Sequence, residues 1–182
     1  MRIPLPAVAL LILAGCATNL APREFQDEKT AATITAVAKP WIFTAVNEQG
    51  TSNNHDFLNV HAIDVNRAGD HRQYFAVMQS FFAAGPDGDA AGPVLELQTP
   101  ERTISLQPAT QAPRQLGIAQ PLEQPFALES RWWYFPVGKE DLAMLARAKN
   151  LHVALLMRDA RVPYVVFRDG SAELTELSAT LR

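Results

Sequence analysis

The chain has 182 residues, of which 48% are hydrophobic and 19% are charged, and its formal net charge is −3. This mildly acidic balance argues against binding to nucleic acid or to an anionic lipid surface through overall charge. Cys16 is the only cysteine, which excludes a disulfide within the chain.

The first sixteen residues have the order of features of a secretory signal. Arg2 supplies a positive start, residues 7–13 are apolar, and small residues precede the cysteine. The alternative is a transmembrane helix. A span needs about 20 apolar residues, which this segment lacks, and Pro4 and Pro6 lie inside it.

The residues Leu13-Ala14-Gly15-Cys16 resemble the lipobox of bacterial lipoproteins. In that family the cysteine receives a diacylglycerol and the peptide before it is removed. The resemblance implies a signal peptide over residues 1–15 and acyl chains such as palmitate on Cys16. Two or more such chains anchor a protein stably in a membrane. An ordinary secretory signal with a chance cysteine is the alternative.

The resemblance also implies a location. It places the protein in the bacterial cell envelope, facing the periplasm, and Ala17 after the cysteine favours the outer membrane in enterobacterial sorting. Cleavage removes one arginine and no acid, so the mature charge becomes −4. Residues 16–32 are polar and predict a lipidated tether. We expect residues 33–182 to form a single β-rich domain.

Short segments rich in β-branched and aromatic residues recur along this domain and are separated by turn formers. They predict about eight strands, the first of which is interrupted at Pro40. The predicted strands are Thr33–Ala38 with Trp41–Asn47, Phe57–Val65, Arg72–Phe82, Val94–Gln98, Thr103–Gln107, Arg131–Val137, Leu151–Met157 and Val162–Arg168.

The two longest predicted strands form a hairpin, because the turn-forming residues 66–71 lie between them. A reversal in the middle of this turn places Val65 across from Arg72 and His61 across from Ala76.

Helical spacing is confined to the last third of the chain. Residues Lys139–Lys149 predict a helix with acids in its first turn, and a second helix follows the turn at residues 169–171, with Leu174, Leu177 and Leu181 on one face. The fold class is therefore α+β and mainly antiparallel β, a β-sandwich-like or curled sheet. The absence of an early crossover helix argues against a parallel α/β fold.

The stretch Gln107–Pro125 is rich in proline and glutamine and predicts extended backbone. Structureless connections of this length are uncommon in compact domains. Two interpretations stay open. The stretch is either a crossover that crosses a sheet edge or runs between two sheets, or it is a partner-binding loop.

The histidines do not predict a metal site. Ligands must converge within ~2–2.5 Å of one ion, whereas the hairpin register puts His71 ~16 Å from His61. His55 is equally remote in the other direction. His152 alternates with apolar residues on its strand, which favours a core or sheet-face histidine over a catalytic one.

No motif predicts a reaction or a cofactor. No serine lies in G-x-S-x-G, and the glycines at 85, 88 and 92 do not match a phosphate-binding loop. We therefore predict no catalytic residue and no cofactor.

The aromatic run Trp132-Trp133-Tyr134-Phe135 is the remaining candidate for a ligand or partner surface. Strand alternation sends Trp132 and Tyr134 to one face and the other two rings to the opposite face. Either both pairs are buried, with the second pair under the helix at Lys139–Lys149, or one pair forms an exposed platform.

These observations predict a lipid-anchored envelope protein that acts as a non-catalytic binding or assembly accessory. Its partner would be an envelope protein, peptide or glycan. The alternative is an envelope hydrolase whose site is assembled from separate strands.

Overall fold

Ten antiparallel strands form one curled, half-barrel sheet in this computed structural model. The structure describes residues 19–46, 52–81, 92–123, 129–158 and 160–181, with the backbone alone at 52–55 and 81. The signal peptide and Cys16 lie outside the described residues. The strands are β1 (Arg23–Asp27), β2 (Ala32–Ala36), β3 (Trp41–Val46), β4 (Ser52–Arg67), β5 (Asp70–Phe81), β6 (Val94–Gln98), β7 (Thr103–Leu106), β8 (Glu129–Pro136), β9 (His152–Leu156) and β10 (Arg161–Arg168).

Three short helices accompany the sheet: α1 (Pro113–Leu116), α2 (Lys139–Leu145) and α3 (Ser171–Thr180). The two helices predicted near the C-terminus are confirmed, although α2 ends four residues earlier than its apolar spacing indicates. All described strands belong to a single sheet. The curled sheet is therefore the alternative that the structure supports, and a sandwich of two sheets is not confirmed.

The long strand β4 is the centre of the sheet. Along one edge it pairs with β5 over twelve residue pairs, and β8 pairs with the far edge of β5. The other edge of β4 is shared, since β2 pairs with its second half and β3 with its first half. From β2 the sheet continues to β1, and from β3 it continues through β10, β9 and β6 to β7.

The predicted interruption at Pro40 is confirmed and explains this branching. β2 and β3 lie one after the other along the same edge of β4, with Ala36 opposite Ile63 and Trp41 opposite Val60. Proline has no N–H to donate to a ladder, so the strand breaks there. Each half then pairs with a different neighbour on its outer edge.

The predicted hairpin register is also confirmed. Val65 lies opposite Arg72, and His61 lies opposite Ala76. Gly69 at the turn has a φ of 91°, which glycine adopts without strain, and its N–H donates to Oδ1 of Asn66 over 2.8 Å.

Two apolar cores lie on the two faces of the sheet. The first core contains the inward rings and aliphatic side chains of eight strands, β3 to β10, and is closed by Leu142 and Leu145 of α2 and by Leu174 and Leu177 of α3. The second core lies between the opposite face and residues 107–123, which we call the strap. Its buried members are Ala32, Ile34, Ala36, Ile63, Val65, Tyr74, Ala76, Leu116, Ile118, Leu122 and Tyr134.

Two sequence expectations need correction here. The segment predicted as a tether contains β1, which pairs with β2 over five residues, so the folded sheet begins before residue 33. The strap is not extended throughout, because Pro113–Leu116 form a helical turn that ends at Gly117. The polar composition of β1 is typical of a tether, but it also fits an edge strand, because one face of such a strand can be wholly solvated.

Candidate functional site

The aromatic run of β8 is packed on both faces of the sheet. Phe135 is fully buried in the first core, with Trp133 packed against that core, while Tyr134 is buried in the second core beside Trp132. The ring of Trp132 stacks on Tyr134 with centroids 6.3 Å apart. Tyr134 and Phe135 are buried and Trp132 and Trp133 are partly buried, so both faces of the run are packed. A ligand surface at residues 132–135 stays a prediction.

The cover over Trp132 and Tyr134 is the strap and not α2. The backbone N–H of Ala109 donates to the carbonyl oxygen of Tyr134 over 2.7 Å, and Leu116 and Ile118 pack into the same core. The strap therefore crosses the face of the sheet, whereas the sequence predicted a path across a sheet edge or between two sheets.

A carboxylate on the first strand fixes the strap to the sheet. Asp27 is fully buried, and its two oxygens accept hydrogen bonds from the backbone N–H groups of Lys29, Thr30, Ala119 and Gln120. Burial by itself would raise the pKa of Asp27, but the backbone donors outweigh it and hold the pKa below its ordinary value. Asp27 is thus a structural tie.

The end of the strap is held by a buried histidine. His61 is 1% exposed, and its Nε2 lies 3.0 Å from Oε2 of Glu123, whose other oxygen accepts a bond from the Asn59 amide over 2.5 Å. Burial would raise the pKa of Glu123, yet the contacts with His61 and Asn59 lower it overall. The Nδ1 of His61 and the Oδ1 of Asn59 are buried and have no hydrogen-bond partner among the described residues.

Among the described residues this cluster has no nucleophile. Ser80 is buried on the neighbouring strand and its Oγ has no partner in the described part of the chain. Ser80 pairs with Phe57, whereas His61 pairs with Ala76. Four residues along a strand correspond to ~13 Å, so Ser80 cannot exchange a proton directly with His61.

A half-buried carboxylate, Asp56, has its pKa shifted in the opposite direction. Asp56 accepts hydrogen bonds from Tyr164 over 2.9 Å and from the amide of Gln79 over 3.1 Å. Burial raises the pKa of Asp56, and these two donors only partly offset it. Burial and the neighbouring Asp56 also raise the pKa of Tyr164. The trio links β4, β5 and β10 across the half-barrel.

The fourth cluster lines an open groove and is the candidate site. Nδ1 of His71 lies 2.7 Å from Oδ2 of Asp64, and the amide of Gln73 donates to the other oxygen of Asp64 over 2.6 Å. The Asp64 side chain is 8% exposed and the His71 side chain 30% exposed. Because Asp64 engages Nδ1, the Nε2 of His71 is left for a ligand.

The groove has a volume of about 440 Å³ and lies where β1, β2, β4 and β5 meet the C-terminal end of α3. Its lining carries two carboxylates and no lysine or arginine. Glu24, Thr33 and Thr35 make no side-chain hydrogen bond or ion pair with any described residue. Its lining residues are Pro22, Glu24, Thr33, Thr35, Asp64, Asn66, His71, Thr180 and Leu181.

Sequence reasoning missed the Asp64–His71 contact, although its signal was present. In the confirmed register Asn66 lies opposite His71, so Asp64 is the diagonal neighbour of His71 on the same face. The distance between His71 and His61 does not reveal this contact, because His61 lies on the other face of the sheet.

The remaining predicted positions are dispersed. His152 is exposed on β9, and the side chain of His55 lies outside the described residues. Within the described ranges, no group of three or more histidine, cysteine, aspartate or glutamate residues is placed to hold a metal ion. No helix among those residues is long and apolar enough to cross a membrane.

Three comparisons with known proteins found no similar protein. No family model matches the chain, and searches of curated proteins and of solved structures found no match.

Proposed function

We propose that this protein is a lipid-anchored envelope accessory whose periplasm-facing domain binds a partner in the Asp64–His71 groove without transforming it. The lipobox-like residues 13–16 support the anchor, and Ala17 supports the outer membrane as its location. Residues 16–22 then form the link to β1. The other polar clusters, around Asp27, His61 and Asp56, join strands and the strap to one another. The Asp64–His71 groove is therefore the cluster that supports binding.

The observation that carries the binding role is the lining of the groove. Glu24, Thr33 and Thr35 bring a carboxylate and two hydroxyl groups that no described residue uses. With Asp64 they make the groove acidic. A fitting ligand therefore carries amino or hydroxyl groups, as the peptides and glycans of a cell envelope do.

The anchor is tested by replacing Cys16 with serine. The variant should lose palmitate labelling and be released from membranes, whereas a chain with Ala17→Ser should keep both. Unchanged labelling and membrane retention of the Cys16→Ser chain would contradict the lipoprotein assignment.

The groove is tested by placing a photo-crosslinking amino acid at Thr35 in the native envelope. We expect a discrete crosslinked species that is lost when Glu24→Gln and His71→Gln are introduced together. The same label at Ser105, which is exposed on β7 away from the groove, is the control. Identical products from both positions would contradict a binding site in the groove.

One observation favours the second candidate, an envelope hydrolase. The oriented Asp64–His71 pair has the arrangement of a general base and its positioning carboxylate, brought together from β4 and β5. A hydrolase would release fragments from isolated envelope polymer and would stop doing so with His71→Ala. An accessory would retain the polymer unchanged, which distinguishes the two functions.

A further inference from the structure

We infer that another face of the domain, formed by the end of β10 and the loop before β9, binds the surface of an anionic phospholipid bilayer. This contact is separate from the acyl chains proposed on Cys16 and does not depend on them. Among the described residues the exposed large hydrophobic side chains are three consecutive ones, Val165 (41%), Val166 (45%) and Phe167 (64%).

The exposure of these side chains follows from strand pairing. β9 pairs with β10 only as far as Tyr164, opposite Val153, and β10 continues with β3 as its one remaining neighbour. The register also shifts between Val166 and Arg168, so Phe167 is the extra residue of a bulge. A bulged edge is poorly suited to pairing with a further strand, which argues against strand addition here.

Cations lie beside Val166, the member of this apolar segment that lines a groove, while the ring of Phe167 contacts Phe57 at a centroid distance of 5.7 Å. A groove of about 500 Å³ has Val166 on one side and the loop from Ala146 to Leu151 on the other. That loop carries Arg147 and Lys149, both exposed, and neither makes an ion pair with a described residue.

The acid that lines the same groove is already engaged. Asp169 accepts a hydrogen bond from Nε1 of Trp41 over 2.9 Å and another from the backbone N–H of Ser171 over 2.9 Å. The N-terminus of α3 also begins there and carries a partial positive charge. The groove therefore presents positive potential next to apolar side chains.

This combination fits a bilayer better than a protein partner. Basic residues adjoining exposed apolar side chains bind the interface of anionic membranes. A specific protein interface buries about 800 Å² on each side, and three apolar side chains with two cations supply only part of that area. The overall charge of the chain is negative, so a close approach to an anionic surface requires a locally positive face such as this one.

The test uses a chain that begins at Ala17, because every described strand and helix lies between residues 23 and 180. Its binding is measured by co-sedimentation with phosphatidylcholine vesicles, with and without phosphatidylglycerol. We expect binding only when phosphatidylglycerol is present, and we expect added salt to weaken it.

Two variants locate the contact. Arg147→Glu with Lys149→Glu should lower the partition coefficient about tenfold or more, and Phe167→Ser should lower it with the same circular dichroism spectrum as the parent. The control is Lys29→Glu with Arg114→Glu, which changes the charge equally at exposed positions outside this groove.

Three results would overturn the inference: no binding to phosphatidylglycerol vesicles, equal loss in the control variant, or a dimer in sedimentation velocity that the Arg147→Glu, Lys149→Glu change dissociates. None of these results depends on whether Cys16 is acylated, so failure of the anchor and failure of this surface are distinguishable.

Discussion

The Oδ2 atom of Asp27 accepts a 2.6 Å hydrogen bond from the backbone N–H of Ala119, which joins β1 to the strap across 92 residues of sequence. This contact closes the second core, because the strap supplies Leu116, Ile118 and Leu122 to it. The stability of the strap therefore depends on the charge of one buried carboxylate.

Replacing Asp27 with asparagine should destabilise the fold by about 2 kcal/mol or more, since an amide cannot accept from all four backbone donors. The pKa of Asp27 is lowered in the folded state, so its contribution is complete above the ordinary value of 3.8 and is lost as pH falls through the lower folded value. Urea unfolding at several pH values measures this. The difference in the free energy of unfolding between wild type and Asp27→Asn should be constant near neutral pH and should shrink in strong acid. A difference that does not change with pH would contradict the role of the charge.

Replacing Asp56 with asparagine should have the opposite result. The pKa of Asp56 is raised by burial, so the folded state loses stability as pH rises from 3.8 through the folded value. Asparagine keeps the shape and an acceptor for Tyr164 but carries no charge. We expect Asp56→Asn to match or exceed the melting temperature of the wild type at pH 7, with Asp56→Ala as the destabilised control that removes the acceptor. A lower melting temperature for Asp56→Asn would show that the ionised carboxylate is the stabilising form.

Gly170 and Gly138 provide a matched pair, since each is the N-cap residue of a helix. A Cβ at Gly170 would lie 2.6 Å from Cδ1 of Trp41, a ring held by its bond to Asp169, whereas a Cβ at Gly138 would come no closer than 3.7 Å to its nearest neighbour. Gly170→Ala should therefore cost about 1–3 kcal/mol more than Gly138→Ala. The two changes share any capping penalty, so equal losses in chemical denaturation would mean that Trp41 moves aside freely.

Three aromatic residues compare the stability contributed by a buried, a partly buried and an exposed ring. Phe135 is fully buried, so Phe135→Ala should cost about 3–5 kcal/mol, and Trp133→Ala should cost less because its ring is only partly buried. Phe167→Ala should cost about 1 kcal/mol, because the ring is 64% exposed and loses its edge contact with Phe57. Differential scanning calorimetry orders the three variants, and a large loss for Phe167→Ala would place that ring in a core.

The sequence predicted the strands and the hairpin well because both follow from local rules. Alternating apolar residues set the strand at Val94–Gln98, and the turn formers around Gly69 set the register that places His61 opposite Ala76. The sequence did not predict the strand at Arg23–Asp27, because its side chains are mostly polar. They show no alternation of apolar and polar residues that would indicate pairing with β2.

By itself the sequence determined the lipobox-like start, the mainly antiparallel class and the position of nearly every strand, because composition, alternation and turn chemistry act over a few residues. Only the tertiary structure decided that the strap covers Trp132, that Asp64 meets His71 in a groove, and that Phe167 stays uncovered. Those outcomes depend on which distant segments cover which face of the sheet. Burial and the paired backbone donors that fix such contacts arise only when the whole chain is folded.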